Sequence, residues 1–124
     1  MLFLVLRAYC QLLQFDSYLV RGDFAALHRK VKSHPTKHNV VSCGAMERVT
    51  SAMNTACIWY WKQVLCLQKS AATACLLKDY GVRAELVIGT RTLPFQAHAW
   101  VEVNGCIVNE RKSDLSAYAV LDRC

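Results

Sequence analysis

The apolar pattern of this chain changes period once, at Gly81, and that change limits the folds open to it. Before Gly81 the apolar residues recur at helical steps; after it they alternate. Over residues 2–14 apolar side chains are too dense for a period to be resolved. Over 18–31 a stripe runs through Leu19, Phe24, Leu27 and Val31, while Arg21, His28, Arg29 and Lys30 face elsewhere. The segment SHPTKHNVVSCG breaks the pattern at Pro35 and Gly44 and reads as a loop. A helix over about 45–61 carries Met46, Val49, Met53, Ala56, Cys57 and Tyr60, and another runs over about 66–80. Gly81 supplies the left-handed stop one residue past that helix.

Beyond it, Val82, Ala84, Leu86 and Ile88 share one face of a strand. Phe95, Ala97, Ala99, Val101 and Val103 share a face of the next. Asn104-Gly105 is a hairpin turn signal, residues 106–110 form the returning strand, and YAVLDRC closes the chain as a short ordered tail. Helices first and an antiparallel sheet after is an α+β layout: N-terminal helices packed on a small sheet. At 124 residues the expectation is one domain, 1–124, mostly helical over 1–62, with a helix and the sheet over 63–124.

Hydrophobic residues make up 54% of the chain and charged residues 19%, too apolar a balance for a disordered segment. The net charge of +6 suits nucleic acid, an anionic membrane or an acidic peptide, and plain solubility explains it more simply. No helix-turn-helix or RNA-binding motif is present, so a nucleic-acid partner is not expected. Arg7 interrupts the initial apolar run and no small-residue cleavage site follows, so the start reads as a retained amphipathic helix, not a signal sequence or a membrane span. A helix lying on a membrane surface is the lesser alternative. The seven cysteines are odd in number and lack paired spacing, which argues against a zinc site and a disulfide framework. A reducing, cytoplasmic setting follows, with neither metal nor cofactor expected.

Two residues stand apart. Cys66 opens the helix LCLQKSAATACLLKDYG, and His98 lies on the strand FQAHAWVEV. A thiol is a weak nucleophile until its proton is lost. A helix N-terminus and a neighbouring imidazolium both stabilise the thiolate. Cys10, Cys57 and Cys75 fall inside apolar helical segments, where a free thiol packs as a small hydrophobe. Cys66 falls at a boundary. His98 is flanked by Ala97 and Ala99, which leave room beside an imidazole, and shares its face with Gln96, Trp100 and Glu102. A cysteine nucleophile with a histidine base needs a third group to orient the ring. The hairpin register decides which. A two-residue type I′ turn pairs Val103 with Cys106, turns Glu110 toward Ala99 and sets Asn109 opposite Trp100. A bulge at Gly105 pairs Glu102 with Cys106 and sets Glu110 opposite His98.

The run from LCLQKSAATACLLKDYG through PFQAHAWVEVNGCIVNE to YAVLDRC resembles the peptidase half of the lasso-peptide biosynthesis B proteins. The first half, with FDSYLVRGDF and ACIWYWKQ, matches more loosely. The resemblance implies a transglutaminase- or papain-like cysteine peptidase core and a Cys-His-Asp triad. Cys66 and His98 fall on the first two positions, and Glu110 on the third, one methylene longer than the family's aspartate; under the bulged register it faces His98. Asn109 is the alternative orienter if the turn has two residues.

The family removes the leader from a ribosomally made precursor peptide, and a separate ATP-dependent cyclase then closes the macrolactam ring. No leader-recognition domain is visible, so the resemblance implies the split form, with a separate leader-recognition protein as partner. The backbone N–H of Cys66 is the first candidate for the oxyanion, with Gln63 or Trp61 as the second donor, and Phe95 and Trp100 line the groove or pack in the core. Two other readings stand beside this one. An acyltransferase on the same fold would pass the thioester to an amine, and a peptide-binding scaffold would hold the site without activity.

Overall fold

The computed structural model describes residues 2–36, 44–91, 96–108 and 118–124. Among these residues four helices precede a four-stranded antiparallel sheet, so the α+β expectation holds. The first helix, α1, spans Leu2–Val20 and buries Leu4, Ala8, Leu12 and Phe15 at three- and four-residue steps. Leu2, Phe3, Leu6 and Leu13 are exposed on its other faces, and they hide that stripe from a reading of periodicity.

The stripe read over 18–31 divides into two helices. Gly22 adopts φ +69° just past α1, and the N–H groups of Gly22 and Asp23 donate to the carbonyls of Leu19 and Tyr18 at 3.0 Å each. Asp23 then caps α2 (Phe24–Ser33), its Oδ1 accepting from the Ala26 N–H at 3.0 Å. A left-handed glycine followed by an aspartate cap is a local stop and start that outweighs an unbroken apolar stripe.

Helix α3 (Ala45–Trp59) ends two residues before the expected limit, and α4 spans Cys66–Asp79. Almost every residue of α4 from Gln68 to Lys78 is buried. Alanines at 71, 72 and 74 let α1, α3 and the sheet all approach it. Gly81, at φ +82°, ends it as expected, with the Val82 N–H donating to the Leu77 carbonyl at 3.0 Å.

The sheet has the order β3-β2-β1-β4, with β1 at Ala84–Arg91, β2 at Gln96–Val103, β3 at Cys106–Ile107 and β4 at Ala119–Arg123. One face, with Ala84, Leu86, Ala99 and Val101, closes the core against the helices. On the other face Val87 and Trp100 form a small second cluster with Ile107 and Tyr118. The closing segment is more than a tail. It pairs with β1 as an edge strand, with a register shift between Ile88 and Gly89.

The hairpin corrects the bulged register. Val103 pairs with Cys106 and Glu102 with Ile107, and Asn104 and Gly105 both have positive φ, +53° and +79°. That is the two-residue type I′ turn, whose twist matches that of the flanking strands. The bulge that set Glu110 opposite His98 is absent. Asn109, Glu110 and Phe95 lie outside the described residues. No helix among the described residues is long and apolar enough to cross a membrane.

Candidate active site

Cys66 is the first residue of α4 and is exposed. The first hydrogen bond of the helix runs from the Lys69 N–H to the Leu65 carbonyl at 2.9 Å, so the amides of residues 66–68 precede the helical ladder. Most helix starts place Ser, Thr, Asp or Asn at the cap, and that side chain quenches the free donors. Here the cap residue is Leu65, which offers no acceptor. The partial positive charge of the helix start is therefore left to whatever stands beside Cys66.

Three ties hold this helix start. Gln68, only 1% exposed, accepts from the Leu65 N–H at 3.4 Å and donates through Nε2 to the Leu12 carbonyl of α1 at 2.8 Å. Ser70 Oγ donates to the Ala99 carbonyl at 3.0 Å and pins the second turn of α4 to β2, beside His98. The connection leading into α4 is anchored by Asp16. Its carboxylate accepts from Tyr60 Oη and lies against Lys62 Nζ, each at 2.8 Å. Burial raises the Asp16 pKa, but the bonds from Lys62 and Tyr60 outweigh it and hold the carboxyl below its ordinary value. The Tyr60 hydroxyl is pushed up to about 12, first by burial and then by its bond to Asp16.

Cys66 and His98 line one small cleft of about 100 Å³, together with Leu67, Ile88, Ala97 and Ala99. Ala97 and Ala99 present only methyl groups on β2, so the helix start can come close to the strand that carries His98. His98 is half-buried. Its ring stacks beside Trp100, with centroids 6.3 Å apart, and beside Tyr118 at 5.9 Å.

Burial separates the other thiols from this one. The Cys75 thiol is pushed up to about 11 by its buried position in α4, and burial also raises Cys57 and Cys124. A thiol raised in this way stays protonated and inert at neutral pH. Cys10 and Cys106 are exposed and line other clefts, Cys10 with Arg7, Gln11 and Gln14, and Cys106 with Glu102 and Arg123. Among the described residues, Cys66 is the cysteine that combines exposure, an uncapped helix start and an imidazole in the same cleft.

Trp100 is 3% exposed, so of its two expected roles the structure gives it packing, behind His98. Gln63 and Trp61 are exposed in the connection before α4, and neither lines the cleft. Among the described residues no group of three or more His, Cys, Asp or Glu side chains is placed to hold a metal ion. Gln68, Ser70 and the Glu102 pair described below carried no signal in the sequence beyond polar residues inside apolar runs.

A chain of helices and a small antiparallel sheet, with an uncapped cysteine helix set against a histidine strand, is one solution to thiol chemistry. The chain belongs to the transglutaminase-like superfamily, whose family model matches residues 10–123. It is also similar to the microcin J25-processing protein McjB of Escherichia coli, 47% identical over 45 residues. That similarity covers 36% of this chain and 22% of the relative, so it spans well under half of either protein. No solved structure matches.

Proposed function

We propose that this protein is a cysteine peptidase that removes the leader from a lasso-peptide precursor. The observation that carries the reading is Cys66 at the uncapped start of α4, lining one cleft with His98 in a transglutaminase-like chain. The similarity to a microcin-processing protein supports the substrate class proposed. His98 takes the thiol proton as Cys66 Sγ attacks the carbonyl carbon of the last leader residue. The Cys66 N–H, free of the helical ladder, meets the oxyanion. His98 returns the proton to the departing amine, which becomes the new N-terminus of the core peptide. Water, deprotonated by His98, then adds to the thioester, and the leader leaves with a free carboxylate while the thiol is restored.

The third member of the site comes from the segment after β3. The family resemblance points to Glu110. The two-residue turn is the case in which the sequence reading takes Asn109 instead.

The decisive experiment is Cys66→Ala with the precursor peptide, in the presence and absence of a leader-binding protein, read by mass spectrometry. The variant stays folded and cleavage falls by about a thousandfold or more, because removing a nucleophile removes the covalent route. Near wild-type cleavage would sink the reading. Acyl transfer uses the same thioester, so an added primary amine is included. Its appearance on the leader carboxyl would replace hydrolase with transferase.

A further inference from the structure

The outer face of the sheet holds a charged pair that neither the core nor the thiol chemistry requires. Glu102, on β2, is 7% exposed. Its Oε2 accepts from Trp100 Nε1–H at 2.8 Å, and its Oε1 accepts from Arg123 Nη1 at 2.8 Å. Arg123 belongs to β4, which is separated from β2 by β1, so the pair reaches across an intervening strand. Both Arg123 and Trp100 pair with Val87 of that strand.

The indole extends over Gly89, where a Cβ would stand 2.4 Å from Cη2 and 2.8 Å from Cζ3. Gly89 is the cross-strand partner of His98. The indole is thus held at one end by Glu102, lies in the space a side chain at 89 would fill, and stacks beside the imidazole at 6.3 Å. Arg123 keeps 45% of its side-chain surface in solvent, so the pair adds little stability by itself, and its effect is to fix the enclosed Glu102 carboxylate.

We propose that Glu102 and Arg123 are positioning residues that set the His98 imidazole through Trp100. They touch no substrate. Arg123 fixes the carboxylate, the carboxylate fixes the indole nitrogen, and the indole, with Tyr118, bounds the space in which the imidazole can turn. Aromatic rings at these separations prefer defined relative orientations, so a fixed indole restricts a neighbouring ring. The consequence for rate rests on the peptidase reading; the consequence for ring geometry does not.

The test uses the full chain with Glu102→Gln, Glu102→Leu and Arg123→Met, each at a temperature well below its own unfolding midpoint. Two quantities are read. The first is the position of the His98 ring-proton resonances in the absence of substrate, which the indole ring current displaces. The second is kcat and KM for precursor cleavage. In Glu102→Leu the resonances move and kcat falls roughly tenfold or more with KM nearly unchanged, as expected when a reacting group is misplaced without loss of binding. Glu102→Gln keeps an acceptor for the indole N–H and retains most of the wild-type values. A folded Glu102→Leu with wild-type resonances and kcat would overturn the proposal. If Glu102→Leu does not fold, Arg123→Met decides, since it keeps the indole beside His98 and removes only the group that fixes the carboxylate. Shifted resonances with a lowered kcat support the proposal, and unchanged ones overturn it. A wild-type protein that cuts no precursor would refute the peptidase reading, while the resonances would still report on the positioning.

Discussion

Replacing Gly89 by alanine tests how tightly the outer face of the sheet is built. The added methyl would meet the Trp100 ring at 2.4 and 2.8 Å and the Ala119 carbonyl oxygen at 3.1 Å. Carbon atoms rest at about 3.5–4.0 Å, so the indole must retreat by roughly 1 Å. It cannot do so freely, because it is buried, bonded to Glu102, and packed edge-on against Tyr118 with centroids 6.1 Å apart. Overpacking of this kind costs about 1–3 kcal/mol. Removing a strand glycine returns roughly 0.5–1 kcal/mol of backbone entropy. The middle of the two ranges leaves a net destabilisation of about 1 kcal/mol. An unfolding entropy of about 2.1 cal/mol/K per residue makes that a Tm decrease of about 4 °C for a chain of this size.

Thermal unfolding by circular dichroism measures it. The double variant with Trp100→Leu is the control, because a smaller side chain removes the collision. The two changes together then cost less than the sum of each alone. Gly105→Ala is a second control. It meets nothing within 4 Å, so its cost comes from the positive φ of +79° alone. A neutral or stabilising Gly89→Ala, or strict additivity with Trp100→Leu, would refute the account of how the indole is seated.

Other predictions follow from the same geometry. Gln68→Leu leaves the Leu12 carbonyl buried without its donor and loosens the start of α4. Stability falls by about 1–3 kcal/mol and cleavage falls with it, as denaturant unfolding and peptide assays would show. In the native protein at pH 8, iodoacetamide labels Cys66 and spares Cys75, whose buried thiol is pushed up to about 11; equal labelling by mass spectrometry would contradict the site. Asp16 and Glu102 are both held below the ordinary carboxylate range, where bonds from Lys62 and Arg123 outweigh burial. The unfolded chain therefore takes up protons first as pH falls. The stability from both groups is present above about pH 4 and lost below it, so the urea midpoint drops on acidification and drops less in Lys62→Met. Asn109→Ala and Glu110→Gln separate the two orienting candidates, and the larger loss of kcat marks the residue that holds the imidazole.

The elements legible in the sequence share a physical property: each depends on residues within a few positions of one another. Gly81 as a helix stop, the start of α4 at Cys66 and the Asn104-Gly105 turn are such features. So is the break at Gly22-Asp23, where the glycine and the cap are both in plain view and an apolar stripe was followed across them. Cys66 and His98 stand out in the sequence for a different reason, because thiol chemistry admits few partners and both residues sit at informative places.

Other features depend on groups distant along the chain. The register at Val103–Cys106 was one of two that the local residues allowed, and the twist of the paired strands selected it. The closing segment became β4 because β1 had an open edge of unpaired backbone groups. Gly89 is explained by Trp100, whose indole occupies the space of the missing side chain. Periodicity and capping are local, so the order of residues alone fixes an α+β chain with a cysteine at a helix start and a histidine on a strand. What holds those two residues in place comes from packing, because contacts such as Gln68 to Leu12 and Arg123 to Glu102 exist only once distant segments have met.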